Sequence, residues 1–287
     1  MEHSGMLTLR EVKDRTEAFF REKGVPNARL DADSLIAHVL ELRRLDLYLD
    51  LERPLSETQL QTLRELVRRR ANREPLQYIL GNAPFHELQL KVDARALIPR
   101  PETEELFELV QAVCAEHPPA MILELGTGSG ALAIALARQF PDAELHATDI
   151  STDAVALARE NAAGYALDNR ITFQESDWFA AFKKERRFDL IVVNPPYLTN
   201  EEFNTAEPEV AQYEPAGALV AGEDGLQAIR TILRAAPDFL NPSGCLVMET
   251  GIAQHDAITE LSGKLGLESE SRNDLSGRPR FHIARKQ

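Results

Sequence analysis

Ile122-Leu123-Glu124-Leu125-Gly126-Thr127-Gly128-Ser129-Gly130 passes without a break into Ala131-Leu132-Ala133-Ile134-Ala135-Leu136-Ala137. The first four residues read as a buried strand and the last seven as an apolar helix; the glycines between them allow a sharp turn and close approach of a ligand. Strand, glycine-rich turn and helix, in that order, open a doubly wound α/β sheet, where ligands gather at the carboxyl ends of the strands. The spacing is G-x-G-x-G, not the G-x-G-x-x-G of dinucleotide binders, and the loop has no Gly-Lys-Ser/Thr to make a P-loop. At this point a tight turn with no ligand remains an open reading.

Outward from this loop the alternation continues. A strand to Leu125, helix 131–139, strand 143–149, helix 152–163 and strands 170–175 and 187–193 are followed by helix 225–236, strand 244–250 and helix 255–263. Terminal strands near 266–272 and 279–285 complete a mostly parallel sheet with an antiparallel edge. Upstream, Thr8-Leu9-Arg10-Glu11 and Ser56-Glu57-Thr58-Gln59 fit the capping-box pattern of a helix start. Apolar residues at helical spacing follow: Val12, Phe19 and Phe20; Leu35, Ile36, Val39 and Leu40; Leu60, Leu63, Leu66 and Val67. Arg68, Arg69, Arg70 and Arg73 read as a solvated helix end that complements the macrodipole. Between these parts, Gln77-Leu80 and Phe85-Val92 read as two strands about a Gly81-Asn82 turn. The expected domains are a helical one over 1–73, a linker hairpin over 74–101 and an α/β domain over 102–287.

The 287 residues are enough for a full α/β domain and a smaller one. Cys114 and Cys245 are too few and too far apart for a disulfide framework or metal cluster and read as core thiols of a reducing cytosol. Met1 to Leu9 lacks the basic and apolar regions of a leader, and no apolar run reaches membrane-spanning length, so the expectation is a soluble cytoplasmic protein. Net charge is −14, and residues 1–75 hold 14 Lys+Arg against 14 Asp+Glu, so all the excess negative charge lies in 76–287. That balance disfavours a domain that wraps nucleic acid.

Two acidic residues near the glycine loop point to a nucleoside ligand. Asp149 ends the next strand, where a carboxylate can accept from both ribose hydroxyls, although a helix-capping role is open to it. Asp177 and Trp178 end the strand after that and suit an adenine amino group and ring. Asn194-Pro195-Pro196-Tyr197 closes the run Phe188-Asp189-Leu190-Ile191-Val192-Val193; the prolines stop the strand and present an amide, a fixed carbonyl and a phenol at its carboxyl end. The plain alternative is a strand merely terminated by prolines.

Gly126 to Gly130, Asp149 and Trp178, with Asn194 to Tyr197 beyond them, together resemble the class I S-adenosylmethionine-dependent methyltransferases. That resemblance implies a Rossmann-like seven-stranded sheet, S-adenosyl-L-methionine as cofactor and S-adenosyl-L-homocysteine as product. An Asn-Pro-Pro-Tyr loop resembles the acceptor motif of transferases that methylate planar NH2 groups: adenine N6, guanine N2 or a glutamine amide. The lone pair of such a nitrogen is delocalised, so its N–H bonds must be held while it attacks, and acceptors on a rigid loop supply that. Leu198 to Asp224 carries Glu201, Glu202, Glu207, Glu209, Glu214, Glu223 and Asp224 with no Lys or Arg, which turns the expectation from phosphate-bearing nucleobases toward a peptide amide; a solvated loop is the bland reading.

Glu74-Pro75-Leu76-Gln77-Tyr78-Ile79-Leu80-Gly81, Leu97-Ile98-Pro99-Arg100-Pro101-Glu102-Thr103-Glu104, the glycine loop, the Asn-Pro-Pro-Tyr loop and Asp274-Leu275-Ser276-Gly277-Arg278 are similar to the protein-(glutamine-N5) methyltransferases of the HemK/PrmC type. The resemblance implies methylation of the glutamine in the Gly-Gly-Gln loop of class-1 peptide chain release factors; a monomer is expected, and the acidic balance leads to the expectation of no stable nucleic-acid complex. It further implies that Gly126, Thr127, Gly128, Ser129, Gly130, Asp149, Asp177, Trp178 and Asn194 hold the cofactor and Asn194, Pro195, Pro196 and Tyr197 the glutamine, with Asn194, Pro195 and Tyr197 catalytic. For Arg100 and Glu102 a salt bridge and a ligand contact stay equally open, and Arg278 and Arg280 are expected to be structural. The runner-up is an N6-adenine or N2-guanine methyltransferase of nucleic acid.

Overall fold

Both capping boxes form in the structure, a computed structural model that describes residues 7–286. Thr8 accepts from the Glu11 N–H while the Glu11 carboxylate accepts from the Thr8 N–H, and Ser56 and Gln59 repeat the exchange. They start α1 (Leu9–Glu22) and α3 (Glu57–Ala71), with α2 (Ala28–Leu40) between them and α4 (Leu76–Leu80) after them. The part of the leader reading that concerns residues 1–6 lies outside the described residues. Among the described residues, no helix is long and apolar enough to cross a membrane.

The chain continues through β1 (Asn82–Phe85), β2 (Leu88–Lys91), α5 (Pro101–Val113), β3 (Met121–Leu125), α6 (Ala131–Gln139), β4 (Glu144–Asp149), α7 (Thr152–Gly164), β5 (Ile171–Glu175) and β6 (Phe188–Val193). Then come α8 (Asn200–Asn204), α9 (Pro208–Tyr213), α10 (Gln227–Phe239), β7 (Leu240–Glu249), α11 (His255–Lys264), β8 (Leu267–Asn273) and β9 (Pro279–Lys286). These elements fall into two compact units, one up to Gly81 that also takes in Pro208–Tyr213, the other Asn82–Glu207 with Glu214 onward.

In the first unit Val12, Phe20, Leu35, Ile36, Leu60 and Leu63 form the core the helical spacing predicts, whereas Phe19 is exposed. The arginine run at the end of α3 is not a purely solvated face. Arg70 is buried and donates to Asp31 (2.7 Å) and Glu209 (2.7 Å), and Arg73 holds the other oxygen of Glu209 (2.6 Å). Burial raises the carboxyl pKa of Asp31, and the Arg70 guanidinium opposes that shift. Because removing one partner leaves a charge buried without compensation, Arg70→Met is expected to destabilise this unit by about 3–5 kcal/mol in chemical denaturation. Arg69→Met, which breaks a more exposed pair with Glu74, is expected to cost less than about 1 kcal/mol.

Gln77–Leu80 is helical, not a strand. Pro75 precedes the first turn and Gly81, at φ +74°, ends it in the left-handed region, so the proline and glycine cap a single turn whose Ile79 enters the core. The hairpin moves accordingly to β1 and β2, turning at His86-Glu87.

In the second unit the sheet order is β5-β4-β3-β6-β7-β9-β8, parallel through β7 and antiparallel at β9 and β8. Apolar residues fill both faces. Leu190 and Val192 of β6 join the cluster with α5, α6 and α7, while Ile191 and Val193 join the one with α10 and α11. Strand order reverses at β3, which pairs with β4 on one side and β6 on the other. The glycine loop and the Asn-Pro-Pro-Tyr loop leave the carboxyl ends of these neighbouring strands.

Candidate active site

The glycine loop is shaped from beneath by buried polar groups. The Thr127 hydroxyl donates to Glu124 (2.6 Å), the Thr127 N–H donates to the Thr148 carbonyl (2.8 Å), and Thr148 Oγ1 donates to the Glu124 carbonyl (3.2 Å). Gly130 stands at φ +82°, and a Cβ there would lie 3.0 Å from Ala158 Cβ, so only glycine allows α6 and α7 to pack this closely. The Asn161 amide donates to the Ser129 carbonyl (2.8 Å) and exchanges two hydrogen bonds with the Lys91 backbone, tying the loop to β2.

Asp149 organises the other wall. One carboxylate oxygen accepts the Gly128 N–H and the other the Ser151 N–H, each at 2.9 Å, while its carbonyl accepts the Ser176 N–H (2.8 Å). Ser151, not Asp149, caps α7. Each Asp149 oxygen keeps acceptor capacity, since a carboxylate offers about four lone-pair sites. Burial raises its pKa, and the backbone donors oppose that shift. Burial also pushes the Glu124 carboxyl up to about 8, against the pull of the Thr127 hydroxyl.

Asn194 stands beside the glycine loop, its carbonyl 3.9 Å from the position of a Cβ on Gly126. Its Nδ2 donates to Thr103 Oγ1 (2.9 Å), and Thr103 donates to Glu249 Oε2 (3.0 Å). The Tyr197 hydroxyl donates to the other Glu249 oxygen (3.0 Å), and the Arg280 guanidinium lies 5.9 Å from the centre of the Tyr197 ring. Gln254 donates to the carbonyls of Tyr197 (2.9 Å) and Gly225 (3.0 Å), with its own oxygen held by the Gly251 N–H.

A cavity of about 530 Å³ opens between these walls. Gly126, Thr127, Gly128, Ser129, Asp149, Asp177, Trp178, Asn194 and Pro196 line it, so the structure brings together most of the residues singled out in the sequence. Gly130, Pro195 and Tyr197 do not line it: Gly130 is packed on Ala158, and the Tyr197 hydroxyl is turned to Glu249. Trp178 adopts φ +49°, a left-handed backbone that non-glycine residues rarely hold.

The acidic segment after the acceptor loop is largely paired. Glu209 is held by Arg70 and Arg73, Asp224 by Arg230, and the buried Glu214 by Arg100 and the Ile98 N–H, while Glu202 caps α8. Its seven carboxyls therefore do not form the uniform negative mouth that the sequence suggests.

Family models match the chain in two places, the PrmC N-terminal domain over residues 11–81 and the methyltransferase small domain over residues 107–212. A release factor glutamine methyltransferase of Geobacter sulfurreducens is 42% identical over 259 residues, covering 90% of this chain and 89% of its own. One from Deinococcus radiodurans is 38% identical over 280 residues, 98% of this chain and 99% of its own. The chain belongs to the release factor glutamine methyltransferase family. A 16S rRNA N2 methyltransferase from Thermus thermophilus, solved in complex with AdoMet and guanosine, shares the fold at TM-score 0.51 and 21% identity, covering 72% of this chain and 50% of that one.

In this family member several site residues escape the sequence reading: Thr103, Glu124, Asn161, Gly225, Glu249 and Gln254. Glu124 and Glu249 carried a usable signal, because each is an acid inside or at the carboxyl end of an apolar strand, where an unpartnered charge is costly. Arg100 makes the salt bridge to Glu214, one of the two roles that its sequence left open, and stands at the cavity wall. Arg278 pairs with Asp274.

Proposed function

We propose that the protein transfers a methyl group from S-adenosyl-L-methionine to the side-chain amide nitrogen of the glutamine in the Gly-Gly-Gln loop of class-1 peptide chain release factors. The observation that carries the amide-methylating chemistry is the Asn194–Thr103 hydrogen bond, and the choice of a release factor over nucleic acid follows from the family. With Nδ2 committed to Thr103, Asn194 Oδ1 is the group left to accept from an incoming N–H at the cavity wall.

The lining fits the cofactor. Asp149 and Asp177 suit a ligand that bears a sulfonium and an ammonium, and the two lining arginines are paired, Arg95 with Asp93 and Glu160, Arg100 with Glu214. In this reading the Gly126–Gly130 loop lets the backbone approach, Asp149 accepts from the ribose hydroxyls, and Asp177 and Trp178 meet the adenine. S-adenosyl-L-methionine supplies an electrophilic methyl on a positively charged sulfur.

We assign one N–H of the substrate amide to Asn194 Oδ1 at the cavity wall and the other to the carbonyl of Pro195, which does not itself line the cavity but stands between the lining residues Asn194 and Pro196, so that the lone pair is aimed at the methyl carbon. As the N–C bond forms and the C–S bond breaks, positive charge passes from sulfur to nitrogen, where the same two oxygens stabilise it. The amide proton then leaves to water, and S-adenosyl-L-homocysteine is released. Tyr197, held through its hydroxyl and carbonyl, keeps the loop at its distance from the cavity.

The reading carries with it a cytoplasmic monomer that engages release factors and forms no stable nucleic-acid complex. Its test is labelled methyl transfer to a purified class-1 release factor, with nucleic acid offered in parallel at near-physiological salt. Transfer to the release factor that vanishes when its acceptor Gln is replaced by Ala is expected. Label that survives this replacement, or that goes to the nucleic acid, overturns the reading.

A further inference from the structure

We infer that Glu249 is a positioning residue of the methyl transfer: through the Thr103 hydroxyl it dictates which end of the Asn194 amide faces the substrate. The inference rests on the glutamine-amide reading above and adds to it the device that orients the acceptor.

Glu249 ends β7 wholly buried, and as a carboxylate it can only accept; it receives Thr103 Oγ1–H on one oxygen and Tyr197 Oη–H on the other. A threonine hydroxyl has a single proton. With that proton directed at Glu249, Thr103 can only accept on its other side, and the end of Asn194 that meets it must be the NH2. Oδ1 is thereby set opposite, as acceptor. The same carboxylate holds Tyr197, so both ends of the Asn194–Tyr197 loop answer to one buried group whose partner Thr103 is 146 residues away along the chain.

A neutral acid at 249 breaks this directionality. Protonated, or replaced by an amide, the side chain offers a hydrogen to Thr103 or Tyr197. If Thr103 accepts it, the hydroxyl proton turns to Asn194 and favours the flipped amide, which presents N–H where Oδ1 is needed. The charged and titratable groups that face Glu249 are Glu102 on the same helix as Thr103, Arg280 on β9 and the Tyr197 phenol. Burial pushes the Glu249 carboxyl up to about 7; the Tyr197 and Thr103 hydroxyls and Arg280 pull it down, and Glu102 adds to the rise. The charged, orienting form is therefore gained as pH rises through about 7, and activity should rise with it.

The experiment compares wild type, Glu249→Gln, Thr103→Val, Thr103→Ser and the Glu249→Gln/Thr103→Val double variant. Rates are measured with release factor and S-adenosyl-L-methionine between pH 6 and pH 9. Each of the first two single variants is expected to lose about 100-fold in kcat, the size of effect seen when one preorganised transition-state partner is removed. The double variant should fall no further than the worse single, because both act through one chain of bonds. Thr103→Ser should recover most of what Thr103→Val loses, and the rise through about pH 7 should be absent from Glu249→Gln.

A second readout needs neither substrate nor cofactor. The Asn194 side-chain NH2 signals in NMR, assigned by their disappearance in Asn194→Ala, should shift in Thr103→Val and Glu249→Gln and return in Thr103→Ser. Additive losses, a pH profile unchanged in Glu249→Gln, or Asn194 signals unmoved by Thr103→Val overturn the inference. Failure of the wild type to methylate any release factor, with the NMR behaviour as expected, overturns the substrate reading instead and leaves the positioning role standing.

Discussion

Replacing Asn194 by Ala is expected to lower kcat for release-factor methylation by about 10²–10³-fold, because it removes an acceptor that strengthens as positive charge grows on the attacking nitrogen. Binding of S-adenosyl-L-homocysteine, followed by calorimetry, should weaken far less. The Asn194 side chain makes its hydrogen bond to Thr103, whereas the glycine loop and Asp149 are held by other partners and should keep their shape. Thr103 retains Glu249 in the variant, so the fold loses one hydrogen bond, about 1 kcal/mol. A loss of cofactor binding as deep as the loss of rate would mean that the loop serves binding and not transfer.

The second large effect is expected from Gly225→Ala, at a residue outside the cavity. Gly225 has φ +69°, and a Cβ built on it would lie 2.3 Å from the Tyr197 carbonyl oxygen and 2.6 Å from Gln254 Nε2. Neither neighbour can yield freely, since Gln254 bridges the carbonyls of Tyr197 and Gly225 and is itself held by the Gly251 N–H. Left-handed backbone and overpacking together should cost about 2–5 kcal/mol in denaturant unfolding. What survives folded should show kcat lowered with cofactor affinity retained, as Tyr197 is driven from its place. Gly263→Ala is the contrast: it lies in α11 with nothing within 4 Å of the added carbon, and it should stabilise by about 0.5–1 kcal/mol.

The two loops that meet at the cavity were legible because each is a local pattern. Gly126 to Gly130 follows an apolar strand directly, and Asn194 to Tyr197 follows another, so periodicity and the two prolines placed both at strand ends without tertiary information. The sheet followed for the same reason, and its strands from β3 to β9 match the expected ones closely except at the start of β7, which begins at Leu240 and not at 244. Gln77–Leu80 is too short for periodicity to separate strand from helix, and only Pro75 and Gly81 as caps tip it to a helical turn.

What stayed hidden was set by distance along the chain. Thr103 and Glu249 are 146 residues apart, and Arg70 and Glu209 are 139 apart; no local spacing links either pair. Reading Leu198–Asp224 as a uniformly acidic mouth failed on this point, since the cations that pair Glu209, Glu214 and Asp224 lie at Arg70 and Arg73, Arg100 and Arg230. The preference for a protein over a nucleic-acid substrate therefore rests on family membership, with the overall acidic balance as minor support.

The most direct measurement is localisation of the transferred methyl by fragmentation mass spectrometry, after incubation of the enzyme with S-adenosyl-L-methionine and a class-1 release factor. One methyl group on the side-chain nitrogen of the Gly-Gly-Gln glutamine, absent from the Asn194→Ala reaction, is the predicted result. A methyl on lysine, arginine or any other glutamine, with that loop unmodified, would contradict the account.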